Sequence, residues 1–376
     1  MPRDGTKFFN QDSRREGWVL SNNATHEIKK TVRKSNIELL RIICMILIVA
    51  HHSIVHGGIL NIDNCFNKYV ALFLLPGGKM MFVTFIVIST WFLVDKEFNL
   101  ERFIRTWLQV LFYSILFAII ANFMGARLDW HNWISVCFPI IGNSHGFAAT
   151  YLAFYLLTPF LAILDKNMSK KQHACIVAIL IYYEVASIFF KSIFRYDVVI
   201  LSSELTLFVS IYFLTGYIKK YTELYNKNFW GTLAVIIWFA IFGLVIANEF
   251  WGDIEIIKIL MCLATNETSL LYLVGGYCVF FSFYNVKIKY NLVLNKIASA
   301  SFSVLLFHDH NFFRYILWGD LLNAPKYYTS QYFILWVVFS TISIYCIGMV
   351  LDVLEKKVFT CVPVEKELKC LINRFI

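Results

Sequence analysis

The chain has 376 residues, of which 59% are hydrophobic and only 16% are charged, and its formal net charge is +9. A soluble domain carries about 25% charged residues, so this composition argues against an ordinary soluble protein. The basic residues form short clusters between long apolar runs, which is how membrane orientation is set, and this pattern argues against a nucleic-acid partner.

The apolar runs approach 20 residues, the length needed to cross a bilayer core as a helix. They predict an all-α polytopic membrane domain over 35–357, preceded by a basic cytoplasmic tail over 1–34 and followed by a short cytoplasmic tail over 358–376. The tail over 1–34 lacks the apolar segment of a signal peptide. The ten predicted spans are 37–59, 70–94, 103–124, 147–164, 173–190, 197–218, 229–249, 256–284, 297–318 and 331–354.

Two of these spans are long and are predicted to be kinked or broken. Gly77 and Gly78 interrupt the second span, and the segment from Thr265 to Thr268 interrupts the eighth. Glycine is unfavourable inside a helix, and threonine is a weak helix former. We therefore expect each long span to change direction at these positions.

The positions of Lys and Arg predict the orientation. With the N-terminus inside, 25 of the 34 Lys and Arg residues fall in the tails and the predicted inner segments, and eight fall outside. The remaining one, Arg41, lies within the first span. Because inner loops are enriched in Lys and Arg, both termini are predicted to be cytoplasmic and the number of spans to be even.

Nine cysteines are spread along the chain, and none forms a Cys-x-x-Cys pair. Most of them fall inside apolar runs, where cysteine behaves as a small hydrophobic residue. The spacing predicts neither a disulfide framework nor a metal site.

The first span carries five ionisable residues, which are costly at membrane depth without a partner or a cavity. Arg41 and His52 are eleven residues apart, so they project about 20° apart on a helix. Glu38 and His56 project within about 60° of the direction shared by Arg41 and His52. Both lie near a helix end, so their side chains could instead extend to the membrane surface. His51 projects about 80° away from His52. One face of this helix is therefore predicted to be a polar track.

Two further clusters are candidates for a site. Arg102 and Arg105 share a helix face at the predicted cytoplasmic end of the third span. They could bind an anionic cofactor that arrives from the cytoplasm, or they could serve only to orient the span in the membrane. In the ninth span, His308 is predicted near mid-membrane, with Ser301 and Asn311 on its face and Asp309 following directly. The second cluster fits a buried hydrogen-bonded set between helices as well as a site.

The order of these elements resembles the acyltransferase-3 family of integral membrane acyltransferases. The matching elements are Glu38-Leu39-Leu40-Arg41 followed by ten residues and His52, the Ser89-Thr90-Trp91-Phe92-Leu93 stretch, the Arg102-x-x-Arg105 pair, and SFSVLLFHDHN with His308 in register. Thr90 stands where the family has glycine, and Leu305 replaces a tyrosine. The resemblance extends over roughly 33–357.

The resemblance implies an all-α domain of about ten spans that transfers acetyl or related acyl groups from acyl-CoA to hydroxyls of surface or exported carbohydrate. It implies a place in the bacterial cytoplasmic membrane, acetyl-CoA as donor and no metal. His52 is expected to be the base or a transient acyl carrier, with His308 supporting the acceptor or the oxyanion. Arg41, Arg102 and Arg105 would hold CoA, and the supporting residues would be Glu38, Ser89, Ser301 and Asn311. The alternative is a transporter or flippase for a lipid-linked sugar, which also needs a polar track.

Overall fold

The computed structural model describes residues 34–142, 145–194, 203–223 and 227–361. These residues are helical and contain no strand. The thirteen α-helices are α1 Ser35–Val55, α2 Phe66–Leu93, α3 Leu100–Ala121, α4 Trp130–Cys137, α5 Gly146–Asn167, α6 Lys170–Phe194, α7 Glu204–Tyr221, α8 Lys227–Trp251, α9 Glu255–Thr265, α10 Leu270–Tyr284, α11 Leu292–Ser299, α12 Ser301–His308 and α13 Phe333–Cys361. Of the predicted tails over 1–34 and 358–376, residues 1–33 and 362–376 lie outside the described residues, and α13 extends through 358–361.

Eight helical segments in the described ranges are long and apolar enough to cross a membrane. This confirms the prediction of an all-α polytopic membrane protein, and the count of ten stays a prediction. The two remaining predicted spans correspond to α7 and to the α11–α12 segment. The 18 residues of α7 include Glu204, Lys219 and Lys220, and the apolar segment Leu292–His308 is short for a span.

The site depends on how α1 packs. α1 lies against α2, α11, α12 and α13, while α2 also packs against α7, α8 and α10. The buried face of α1 includes Leu40, Cys44, Ile48 and His51. Its ionisable residues are therefore presented to neighbouring helices.

The second predicted span is continuous, which corrects the expectation of an interruption at Gly77 and Gly78. α2 runs through Pro76 and both glycines. A Cβ on Gly78 would lie 2.1 Å from Cγ of His51, and one on Gly77 would lie 2.4 Å from the ring of Trp238. The glycines therefore permit the close approach of two rings.

The eighth predicted span is broken as expected. α9 ends at Thr265, and α10 begins at Leu270 after Ser269, whose hydroxyl accepts a hydrogen bond from the Leu271 N–H. This N-cap provides an acceptor for one of the backbone N–H groups that have no partner in the first turn of a helix. The interruption separates α9 from α10, which packs on α2 and α8.

The ninth predicted span, 297–318, is not one helix. α12 ends at His308, and a short π-helical turn follows over Ile316–Leu321. Nδ1 of His310 accepts a hydrogen bond from the Phe312 N–H, and polar side chains that bond to the local backbone compete with helix formation. His308 is therefore the last residue of a helix and not the middle of a span, and Asn311 lies beyond the helix.

Candidate active site

His52 and His308 are in direct contact. His52 projects from the last turn of α1, and His308 ends α12. Nδ1 of His52 lies 2.9 Å from Nε2 of His308, and His308 has no solvent-exposed surface. The structure thus brings together the two histidines that the sequence predicted as catalytic, 256 residues apart in the chain.

The hydrogen-bond partners of His308 show which ring nitrogens carry a proton when His52 and His308 are both neutral. Nδ1 of His308 lies 2.6 Å from the carbonyl oxygen of Val304, and a carbonyl oxygen only accepts. Nδ1 of His308 therefore carries a proton and Nε2 is the acceptor, so Nδ1 of His52 donates to it. The lone pair of His52 is then on Nε2, in the form that a base requires.

Asp309 places a negative charge beside this pair. Its Oδ1 lies 3.8 Å from Nδ1 of His52 and 3.6 Å from Nε2 of His56. Arg314 approaches the same oxygen at 3.4 Å. A carboxylate at these distances favours a positive charge on the neighbouring imidazole.

The ring of His51 bonds to a different helix from that of His52, as the helical geometry predicted, although both side chains line the same cavity. Its Nδ1 lies 3.0 Å from the carbonyl oxygen of Leu75 on α2, and its ring packs on Gly78. His51 is therefore fixed between two helices, whereas His52 is fixed against α12.

Two further histidines hold the segment around His308 in place. Nε2 of His145 lies 2.9 Å from the carbonyl oxygen of Leu306, and Nε2 of His310 lies 3.1 Å from that of Ser114 on α3. Both side chains are buried. These bonds tie the broken end of α12 to its neighbours and so restrict the position of His308.

His52 lies on the wall of a cavity of about 650 Å³. The lining includes Met45, Ile48, His51 and His52 of α1, the C-cap residue His56, the charged residues Lys79, Glu204, Glu267, Asp309 and Arg314, Asn311, and the rings of Phe82, Phe85, Phe147 and Tyr272. Along α1 the lining runs from Met45 to His56, about 16 Å at 1.5 Å per residue. A volume of this size falls within the range of small-molecule sites.

The predicted cofactor residues lie elsewhere. In the described part of the chain, none of Arg41, Arg102 and Arg105 lines the cavity. Arg41 is 3.7 Å from Glu38, and Arg105 is 3.9 Å from Glu101. The guanidinium of Arg102 lies 5.7 Å from the centre of the Tyr155 ring.

Lys96, in the loop between α2 and α3, joins this group of cations. Partial burial lowers the pKa of its ammonium, and the positive charges of Arg102 and Arg41 lower it further. A bound anion would offset this mutual repulsion. The sequence placed Lys96 only among the orientation charges, so its approach to Arg41 and Arg102 was missed.

The four predicted supporting residues separate into different places. Asn311 lines the cavity. Ser89 is one turn along α2 from Phe85, a residue of the cavity wall, and its hydroxyl donates to the Phe85 carbonyl at 3.0 Å. Ser301 and the Tyr345 hydroxyl are 3.1 Å apart, which joins α12 to α13. Glu38 is buried, and its Oε2 has no hydrogen-bond partner among the described residues.

Asp309, His56 and Arg314 are among the cavity residues that the sequence did not assign to the site. His56 fitted a group at a helix end, and Asp309 was noted only as a neighbour of His308. The four-residue spacing of His52 and His56 places both rings on one helix face, and this spacing could have indicated from the sequence that His56 belongs to the site. Their approach to Asp309 requires the tertiary contact of α1 with α12.

Comparison with known proteins identifies the family of the chain. The model of the acyltransferase-3 family, described as an acyltransferase domain, matches residues 34–353. No curated protein and no solved structure matches the chain. The matched range contains every candidate site residue described above.

Proposed function

Because the chain belongs to the acyltransferase-3 family, we propose that it transfers an acetyl or similar acyl group from acyl-CoA to a hydroxyl of a surface or exported polysaccharide. The observation that carries the proposal is the bond between His52 and His308 at the wall of the cavity. Membrane acyltransferase activity in general follows from the family. Acetyl-CoA as donor, carbohydrate as acceptor and the bacterial cytoplasmic membrane as location are the proposed parts.

His52 acts as the general base. Its Nε2 takes the proton of the acceptor hydroxyl while the hydroxyl oxygen forms a bond to the thioester carbonyl carbon. The carbon–sulfur bond then breaks, and the proton passes from His52 to the departing CoA thiolate. Histidine suits this exchange because its ordinary pKa lies near neutrality.

His308 and Asp309 support the base. Both ring nitrogens of His308 are engaged, one by Val304 and one by His52, so His308 is better suited to orient His52 than to contact the acceptor. Asp309, at 3.8 Å, stabilises the imidazolium that forms when His52 takes a proton. The same division of roles, between a base and the groups that orient it, recurs in nucleophilic and acid–base catalysis.

The donor is held from the opposite end of α1. Arg41, Arg102 and Arg105 bind the CoA phosphates, together with Lys96. Arg41 and His52 are eleven residues apart, about 16 Å along the helix, and the pantetheine arm spans this distance to bring the thioester to His52. Ser89 lies one turn along α2 from Phe85 of the cavity wall.

The acceptor occupies the cavity itself. Lys79, Glu204, Glu267 and Asn311 supply donors and acceptors, and Tyr272 supplies an aromatic surface. A lining of hydrogen-bonding groups and aromatic rings suits a sugar, which presents hydroxyls at its rim and apolar faces above and below. In the predicted topology this cavity opens to the outer side of the membrane.

Thioester consumption tests the proposal against transport of a lipid-linked sugar. Purified protein supplied with acetyl-CoA and a membrane glycan fraction is expected to release free CoA thiol and to leave ester-linked acetate on the glycan. The variant His52→Ala should release thiol at least about 10²-fold more slowly than the wild type. Movement of the glycan across proteoliposomes without release of CoA would instead establish a flippase.

A further inference from the structure

The cavity wall contains a cluster of three side chains that can bind a metal ion, and acyl transfer does not require all three. His52 lies in the last turn of α1 and His56 is the C-cap residue four positions later, still with helical backbone angles, so their rings share a face. Asp309 approaches both rings from the end of α12, with Oδ1 at 3.8 Å from His52 and 3.6 Å from His56. One donor atom from each of the three side chains lies within 4.8 Å of the other two. Three metal-ligand groups from two separate elements therefore converge on one point.

We propose that His52, His56 and Asp309 bind one zinc ion, and that the bound ion inhibits acyl transfer by occupying the base. Zinc binds imidazole nitrogen at about 2.0–2.1 Å and carboxylate oxygen at about 2.0–2.2 Å, most often in a tetrahedral arrangement. Two ligands of one such ion are then about 3.4 Å apart. The distances of 3.6 and 3.8 Å in this cluster require only small side-chain movements to reach that spacing.

The donor types select the class of metal. Two imidazoles and one carboxylate suit zinc and other divalent transition metals, whereas magnesium and calcium prefer sites made of oxygen. Zinc has no preferred geometry from its d-electrons, so it tolerates a site shaped for another task. The fourth position faces a cavity of about 650 Å³, where water or an acceptor hydroxyl has room.

Zinc at this cluster has two competitors. Nδ1 of His52, the nitrogen 3.8 Å from Asp309, also bonds to Nε2 of His308 at 2.9 Å. Zinc at this nitrogen replaces its proton and breaks the bond to His308. Arg314 competes for Oδ1 of Asp309 at 3.4 Å, but a carboxylate has a second oxygen that can retain the arginine. We therefore expect weaker binding than at a closed four-ligand site.

The inhibition rests on the proposed function, whereas zinc binding does not. A metal ion bound to His52 withdraws the lone pair or the orientation that the base needs. His56 lines the cavity and its ring lies beside that of His52, so the zinc sensitivity of each variant is measured against the metal-free rate of the same variant.

Zinc binding is tested on the full chain in detergent, after removal of metals with a chelator and alkylation of the accessible cysteines. Isothermal titration with zinc chloride is expected to give one ion per chain. His56→Gln and Asp309→Asn should each weaken binding at least tenfold, and zinc should raise the melting temperature of the wild type but not of these variants. His131 and Asp129 form an exposed pair at 3.6 Å, so His131→Gln is the matched control and should leave the affinity unchanged.

Binding that is absent from the wild type, or that is weakened equally by His131→Gln, would overturn the site. Inhibition is tested by the release of CoA thiol with increasing zinc. Zinc should inhibit the wild type reversibly, with activity restored by chelator, and His56→Gln should need at least ten times more zinc. Bound zinc with undiminished activity would overturn the inhibition. A metal-free wild type without any thiol release would contradict the proposed function, while the titration would still decide the site.

Discussion

His51 and His52 are consecutive residues of α1 whose rings bond in different directions. Nδ1 of His51 lies 3.0 Å from the Leu75 carbonyl oxygen on α2, whereas Nδ1 of His52 lies 2.9 Å from Nε2 of His308 on α12. The two side chains have the same chemistry and differ in depth by about 1.5 Å. They therefore form a matched pair for testing which histidine acts in acyl transfer.

Replacement of the base should be far more damaging than replacement of its neighbour. We expect His52→Ala to lower kcat by about 10²–10⁴-fold, the usual contribution of a general base, or by more if His52 carries the acyl group. His51→Gln retains an N–H for the Leu75 carbonyl and should keep most of the activity. The rate of CoA release by variants purified at equal levels provides the measurement, and equal losses in the two would contradict the assignment of His52.

Removal of the group that orients the base should affect turnover more than binding. His308→Leu deletes the acceptor for Nδ1–H of His52, and a misplaced catalytic group costs about 10²-fold in rate. We expect kcat to fall by about that amount, with little change in KM for acetyl-CoA. Steady-state kinetics over a range of acetyl-CoA concentrations separate the two constants. A rise in KM at constant kcat would show that His308 contacts the donor.

The cations near the start of α3 should govern the requirement for the donor. Arg102→Ala, Arg105→Ala and Lys96→Gln are each expected to raise KM for acetyl-CoA more than KM for the acceptor. Arg102→Lys should restore binding only partly, because a guanidinium holds phosphate through two parallel hydrogen bonds and an ammonium does not. If inserted Arg102→Ala and Arg105→Ala proteins keep the wild-type KM, these residues set only the orientation in the membrane.

The predicted orientation is tested by reporter fusions. Fusions after Lys220 and after Lys296 should report the cytoplasm, and fusions near Arg127 and Arg195 should report the outside, because Lys and Arg concentrate on the inner side. Arg195 itself lies outside the described residues. Opposite locations of the two termini would contradict the prediction of an even number of spans.

The packing of His51 on α2 should make Gly78 intolerant of a side chain. A Cβ at this position would lie 2.1–2.6 Å from three atoms of the His51 side chain. Overpacking of this kind typically costs about 1–3 kcal/mol, so Gly78→Val should lower the melting temperature in detergent. Gly243→Val is the control, since a Cβ there meets nothing within 4 Å. Equal melting temperatures of the two variants would mean that His51 moves aside.

The sequence by itself determined the structural class and the family of the protein. Apolar runs matched to the bilayer predicted an all-α polytopic protein, since an unpaired backbone cannot be left in lipid. The eleven-residue spacing placed Arg41 and His52 on one face of α1, and the order of short elements indicated the family. These results follow from local periodicity and composition, which a single chain carries along its length.

Only the tertiary structure decided which residues of different helices are in contact. Helical periodicity applied across 297–318 placed Asn311 on the face of His308, but α12 ends at His308 because polar residues after it bond to the local backbone. The meeting of His52 with His308 and of His56 with Asp309 joins residues about 250 positions apart. Such contacts depend on which helices pack together, and the periodicity of one helix contains no information about its neighbour.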